Sequence, residues 1–144
     1  MAAANKFNDF AEQLGLAKHN LNTDALHVYL SNTTPDAAAD AVKADLLEIT
    51  AGNGYVADGI DTLNTWAEAA GTGTLTGTKA VWTAVGGSMN PFRYVVLMNF
   101  TQTSPVKPLL FWWDYLSALT LLVGESFSVK FNNSETTGSM ATVA

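Results

Sequence analysis

The chain has 144 residues, no cysteine and a net charge of −6, and only 14% of its residues are charged. This length suits one domain with its own core, and the lack of cysteine excludes disulfides, zinc–thiolate sites and thiol catalysis. The seven basic residues are scattered along the chain, whereas phosphate backbones and anionic membranes require clustered cations. We therefore expect neither nucleic acid nor a membrane as a partner. Low charge with abundant Ala, Gly, Thr and Ser is more typical of an assembly subunit than of a free enzyme.

Residues 1–20 are predicted to form an N-terminal arm. Phe7, Phe10 and Leu14 recur at helical spacing, but Gly15 follows at once. Residues 5–16 therefore form either a short helix or a segment that becomes ordered against a neighbour. In the second case the three apolar side chains would anchor the arm in grooves of another subunit.

Most of the remaining chain has the pattern of β-strands. Residues 25–31 and 125–131 alternate between apolar and polar side chains, and residues 79–85 form another strand that ends at Gly86. Residues 93–100 are apolar on both faces, which is typical of a central strand covered on both sides.

Helix and turn signals interrupt this pattern. Thr34, Pro35 and Asp36 resemble a helix start, so one short helix or a few helical turns are expected between residues 35 and 48. Residues 71–77 (GTGTLTG) are predicted as a polar linker or loop tip. Their glycine spacing and the lack of a following helix argue against a nucleotide-binding loop.

Residues 108–124 (PLLFWWDYLSALTLLVG) are the most hydrophobic part of the chain. They are too short for a membrane-spanning helix, which needs about 20 apolar residues, and Asp114 lies near their middle. We predict two buried strands, 109–115 and 118–123, with one helix as the alternative. Asp114 would lie at an edge or bond neighbouring backbone amides.

No constellation of side chains points to catalysis or to a cofactor. His19 and His27 have no partner at metal-ligand spacing, and Asp58 and Asp61 lack the ligand series of a calcium loop. Exposed tryptophans could stack on sugar rings, but Trp112 and Trp113 are adjacent and should point to opposite faces of a strand. We therefore expect one ring in the core and the other on a second layer or interface, with Trp113 as the interface candidate.

Six segments stand out by their order along the chain: 18–21 (KHNL), 24–35 (DALHVYLSNTTP), 43–55 (KADLLEITAGNGY), 87–97 (GSMNPFRYVVL), 107–115 (KPLLFWWDY) and 122–129 (LVGESFSV). This ordered series resembles a family of small tailed-bacteriophage virion structural proteins, and the similarity covers about residues 5–131. The resemblance implies a non-enzymatic capsid decoration (cement) protein on the outer surface of the head. It offers no catalytic motif to carry over. An acidic chain is also expected outside a shell, because packaged DNA would repel it.

These observations predict a mainly β protein with an antiparallel β-sandwich at residues 21–131, for which a jelly roll is one candidate arrangement. The N-terminal arm would precede it, and residues 132–144 would form a flexible or partner-docked tail. The expected partners are the major capsid protein and further copies of the chain, with a trimer as the expected oligomer. A tail or head-fibre component and a virion-surface carbohydrate-binding module are the alternatives. The candidate interface residues are Phe7, Phe10, Leu14 and Trp113.

Overall fold

The computed structural model describes residues 2–144, which form ten strands, one α-helix and two 3₁₀ turns. The helix, α1, spans Asn8–Gly15, and the 3₁₀ turns span Lys43–Asp45 and Phe131–Asn133. The strands are β1 (Asn5–Lys6), β2 (Leu26–Ser31), β3 (Ile60–Asp61), β4 (Thr65–Ala69), β5 (Thr72–Thr78), β6 (Ala80–Thr83), β7 (Phe92–Asn99), β8 (Leu109–Leu119), β9 (Ser126–Val129) and β10 (Thr137–Val143). All the paired strands are antiparallel.

The largest sheet has five strands in the order β1-β8-β7-β2-β3. β7 lies at its centre, where Val96 is opposite Tyr29 of β2 and Trp112 of β8. Every residue of β7 except Arg93 is buried. The predicted central strand is confirmed, and its lack of alternation follows from having both faces covered.

Two smaller sheets lie on one side of the same core. One has the order β10-β5-β4, and the other pairs β6 with β9. The shared core draws side chains from all three sheets, among them Val28, Leu97, Trp113, Leu75, Met140, Trp82 and Val129. The fold is therefore mainly β, antiparallel and sandwich-like, as the sequence predicts.

The other face of the large sheet is covered by two irregular segments. Phe7, just before α1, and Leu46, just after the first 3₁₀ turn, are fully buried there. They pack with Tyr29, Val96 and other β2, β7 and β8 side chains in a second apolar cluster. This cover explains why β2 is buried on both faces, where alternation predicted a polar one.

The predicted division of residues 108–124 into two strands is wrong. β8 runs without a break to Leu119, and residues 120–125 form the turn into β9. Leu116 has φ 70°, and the pairing with β7 shifts register between Phe92 and Tyr94. This irregularity bends the strand without ending it. Asp114 accepts two hydrogen bonds from Arg93, at 2.8 and 2.9 Å, and one from the Leu116 amide at 2.7 Å.

The predicted linker or loop tip at residues 71–77 is also wrong beyond Gly71, because residues 72–77 belong to β5, the central strand of the three-stranded sheet. Gly73, Leu75 and Gly77 are its buried residues. A Cβ atom on Gly73 would lie 2.1 Å from the Trp66 ring, and one on Gly77 would lie 2.8 Å from the Met140 sulfur. The glycines make room for these side chains, and they also remove the apolar alternation that would mark a strand.

The C-terminal segment is a strand of the same fold and not a flexible or partner-docked tail. Residues 137–143 pair with β5, with one bulge after Ser139. Met140 is 5% exposed and belongs to the shared core. Small, polar residues surround this single apolar anchor, so the sequence carries almost no strand signal.

The N-terminal segment is likewise part of the fold. The helix predicted within residues 5–16 is present as α1, and β1 pairs with β8 at Asn5 and Lys6. Because the segments 2–20 and 132–144 contribute to the same core as the rest, the predicted three-part division does not correspond to separate units within residues 2–144. Between residues 35 and 48 the chain forms only helical turns. Across residues 2–144, none of the helices has the length and apolar character needed to cross a bilayer.

Candidate functional site

Three of the four predicted interface residues are buried inside this chain. Phe7 is 0% exposed, Phe10 3% and Trp113 2%, and Leu14 packs half-buried against the shared core. The sequence correctly identifies these side chains as apolar anchors, but they anchor the chain to itself. An apolar side chain in its own core offers no surface to a partner, so an interface must be sought elsewhere.

The tryptophan pair divides between the two faces of β8. Trp113 points into the shared core, where its ring centroid lies 5.6 Å from that of Phe131. Trp112 points to the opposite face and packs at 4.5 Å from Phe7. The predicted opposition of the two rings is confirmed, and Trp113, assigned to the interface from the sequence, is the core ring.

Charged side chains from three separate segments meet in one cluster, which we call the lysine cluster: Lys43, Glu48, Asp58 and Lys107. Lys43 Nζ lies 2.5 Å from both Glu48 Oε1 and Asp58 Oδ1. Lys107 Nζ lies 2.8 Å from the same Asp58 oxygen. The backbone fixes this arrangement, because the Lys43 amide donates to the Lys107 carbonyl at 2.9 Å.

Tyr55 and the backbone complete the hydrogen bonding of this cluster. Glu48 Oε2 accepts from the Tyr55 hydroxyl at 2.8 Å and from the Asp58 amide at 2.9 Å. The Tyr55 oxygen accepts in turn from the Leu30 amide of β2 at 3.2 Å. These bonds connect the cluster rigidly to the central sheet.

The ion pairs of the cluster favour the charged forms of Asp58 and Lys43. Hydrogen bonds from Lys107 and then Lys43 lower the pKa of Asp58. Burial opposes the charge of Lys43, but its hydrogen bonds with Asp58 and Glu48 outweigh burial and raise its pKa. Burial raises the pKa of Tyr55 well above its usual range, so this hydroxyl keeps its proton and donates to Glu48. The cluster therefore contains two cations and two anions and lacks a free base.

An apolar groove of about 370 Å³ lies beside the lysine cluster. We call it the Leu47–Val106 groove, after the two side chains that are 67% and 61% exposed there. Val42 and Ala44 also line it. Phe100 lies nearby and is 38% exposed, with Lys107 Nζ 4.8 Å from its ring centroid. Exposed apolar side chains grouped around a rigid, internally neutralised charge cluster are typical of a protein-contact surface.

Several polar residues outside the lysine cluster have structural roles. Asp36 and Asp45 accept hydrogen bonds from nearby backbone amides. His27 Nδ1 lies 3.0 Å from the Asp58 carbonyl oxygen, and its ring stacks on Phe100 at 4.2 Å. In the described part of the chain, no three His, Asp or Glu side chains are grouped so that they could hold a metal ion.

Sequence reasoning missed both the lysine cluster and its groove. Their residues come from the 3₁₀ turn at Lys43, the loop that carries Asp58 and the loop before β8. No spacing within one segment could reveal them. The segments 43–55 and 107–115 are two of those that carry the resemblance to a family. They meet in this cluster, but their contact depends on the sheet topology.

Comparison of the chain with protein-family models, with curated proteins and with solved structures finds no match in any of the three. The function must therefore be argued from the residues and their arrangement.

Proposed function

We propose that this chain is a non-enzymatic structural protein of a tailed-phage virion, and that it decorates the assembled head. The observation that carries the proposal is the ordered series of motifs between residues 5 and 131 that resembles this family. The low content of charged residues and the net charge of −6 support a place in an assembly outside the DNA-filled interior.

The Leu47–Val106 groove is the surface proposed to contact the major capsid protein. A chain of net charge −6 repels other acidic surfaces over most of its area. The groove combines exposed aliphatic side chains with a cluster in which two lysines offset two carboxylates. The cluster has no net charge, so it adds no repulsion there, and apolar burial can contribute to binding.

A decoration protein stabilises a shell because it binds the assembled lattice and not the free subunits. Adding the purified protein to undecorated heads should therefore raise the temperature at which the heads open. Mass spectrometry of heads separated from tails should find the chain on the heads. Its presence on tails alone would contradict the decoration assignment and favour a tail component.

Two substitutions test the proposed surface. Leu47→Asp and Val106→Asp should each abolish head stabilisation, because they place a charge in the apolar contact. Val123→Asp is the matched control, since Val123 is 64% exposed and lies in the loop between β8 and β9. If all three variants bind heads like the unmodified protein, this groove is not the contact. Sedimentation velocity of the same samples would report whether the free protein is the expected trimer.

A further inference from the structure

A second groove, of about 340 Å³, lies beside the end of α1 and shares no lining residue with the Leu47–Val106 groove. Its wall includes Leu14 of α1, Trp66 of β4 and Val143 of β10, together with His19, Asn20 and Asn22 of the loop after the helix. The groove thus has apolar surface from three elements and polar groups from one loop. The lining includes no lysine, arginine, aspartate or glutamate.

Trp66 supplies the aromatic surface of this groove. Its six-membered ring occupies the space next to Gly73 of β5, where a Cβ atom would come within 2.1 Å of the ring. The side chain is only half-buried. Because Gly73 has no side chain, the Trp66 ring can lie against the sheet, and the same ring lines the groove. The contact with the sheet fixes the orientation of the ring.

The two asparagines are held by their oxygen atoms. Asn20 Oδ1 accepts from the amides of Asn22 and Thr23, both at 3.2 Å. Asn22 Oδ1 accepts from the Trp66 amide at 3.3 Å. The side-chain NH₂ groups therefore point away from these backbone donors, and both side chains are exposed. They are fixed hydrogen-bond donors at the rim of the groove.

We infer that this groove binds a neutral sugar residue of a glycan, whose apolar ring face stacks on Trp66 and whose oxygens accept hydrogen bonds from Asn20 and Asn22. Pyranose rings combine an apolar face with a rim of hydroxyl oxygens, which matches an aromatic surface bordered by donors. A phosphorylated or acidic ligand would need cations, and the groove lining has none. This site is independent of the proposed capsid contact, and either assignment can fail without the other.

The test is binding of the full-length protein to an array of neutral oligosaccharides built from hexose and N-acetylhexosamine units, followed by calorimetry with the best-binding one. Trp66→Ala should weaken binding at least tenfold. Asn22→Asp keeps the oxygen that accepts from the Trp66 amide but removes the donor, and should weaken binding about tenfold. Asn8→Asp, the same change at an exposed position outside the groove, should leave binding unchanged.

Circular dichroism should show that each variant is folded. If Trp66→Ala is not, Asn22→Asp still tests the site. The inference is overturned if the unmodified protein binds no glycan at millimolar concentration, or if binding survives both the Trp66 and the Asn22 substitutions.

Discussion

Phe7 joins the N-terminal segment to the large sheet. Its ring is fully buried between Trp112 and the side chains of the second apolar cluster, and its amide donates to the Leu110 carbonyl at 3.1 Å. The residue therefore combines apolar burial with a backbone bond that continues the β1–β8 pairing. A segment held in this way behaves as core and not as a free arm.

Phe7→Ala should lower the free energy of unfolding by about 3–5 kcal/mol, because it removes a fully buried aromatic ring and leaves a cavity. Leu16→Ala is the control: Leu16 is 59% exposed, just after α1, and its loss should change stability by less than about 0.5 kcal/mol. Urea denaturation measures both. Equal, small effects would mean that the N-terminal segment does not pack as described.

Asp58 should make stability depend on pH. Its pKa is lowered in the folded state by Lys107 and Lys43, so its contribution is complete above the unfolded value, about 3.9, and is lost as pH falls through the lower folded value. Asp58→Asn should cost about 1 kcal/mol at pH 6, and this difference should shrink towards zero near pH 2.

The substitution is suitable because Asp58 has φ 70°, a conformation that asparagine also tolerates. Urea denaturation from pH 2 to pH 7 measures the effect. Lys107→Met should reproduce part of the loss at pH 6, and the double variant should lose less than the sum of the two. A loss that is the same at pH 2 and pH 6 would contradict this role for the Asp58 charge.

Among the elements, β10 depends on a close approach of two backbone segments. A Cβ atom on Gly138 would lie 1.7 Å from the carbonyl oxygen of Phe131, a backbone atom that cannot turn aside. The turn at Phe131–Asn133 and the start of β10 can pack together only with glycine at this position. This contact places Met140 in the core.

Gly138→Ala should therefore destabilise the protein by roughly 2–3 kcal/mol, through overpacking against backbone. Gly15→Ala is the matched control, because a Cβ atom there meets nothing within 4 Å and alanine favours helix. The control should be neutral or more stable by up to about 1 kcal/mol. Thermal unfolding of both variants measures the difference, and a harmless Gly138→Ala would show that β10 is not packed in this register.

The elements also show how far the sequence predicts this fold. The sequence predicts β2, β7 and β9 from their apolar patterns, because the buried positions of a strand are occupied by apolar residues. β8 is misread because Leu116 bends it while it remains paired. β5 is missed because two of its three buried positions are glycines, which make room for Trp66 and Met140 and carry no apolar signal. β10 is missed because Met140 is its one buried residue.

The candidate sites are harder to predict than the strands. The buried ring of the tryptophan pair and the ion pairs of Asp58 depend on which segments the topology brings together. Lys43 and Lys107 are 64 positions apart and become neighbours only because segment 42–43 hydrogen-bonds beside the start of β8. Local patterns predict faces and turns, whereas contacts between distant loops follow from the completed fold.

At the scale of the whole molecule, one core joins all three sheets and both ends of the described chain. Phe10 of α1 and Met140 of β10 belong to the same cluster as the centre of β7. Neither small sheet has an apolar interior that is separate from the large one. The structure therefore has no internal boundary at which part of it could unfold alone.

Unfolding should be a single cooperative transition. Tryptophan fluorescence reports Trp66 and Trp82 in the small sheets together with Trp112 and Trp113 in the large sheet, and far-ultraviolet circular dichroism reports the strands as a whole. The two curves should coincide in urea. Separate midpoints would show that a small sheet melts independently and would contradict the shared core.

The edges of the large sheet have a consequence for behaviour at high concentration. Its two most apolar strands, β7 and β8, are the segments of this chain best suited to form amyloid-like contacts. β7 is central, the first part of β8 is bonded to β1, Phe7 and Ala41, and its far end carries the irregularity at Leu116. β1 and β3, at the outside, have two residues each. Another chain finds no long edge of the large sheet to extend, so β7 and β8 are kept out of strand pairing between copies when the folded protein is crowded.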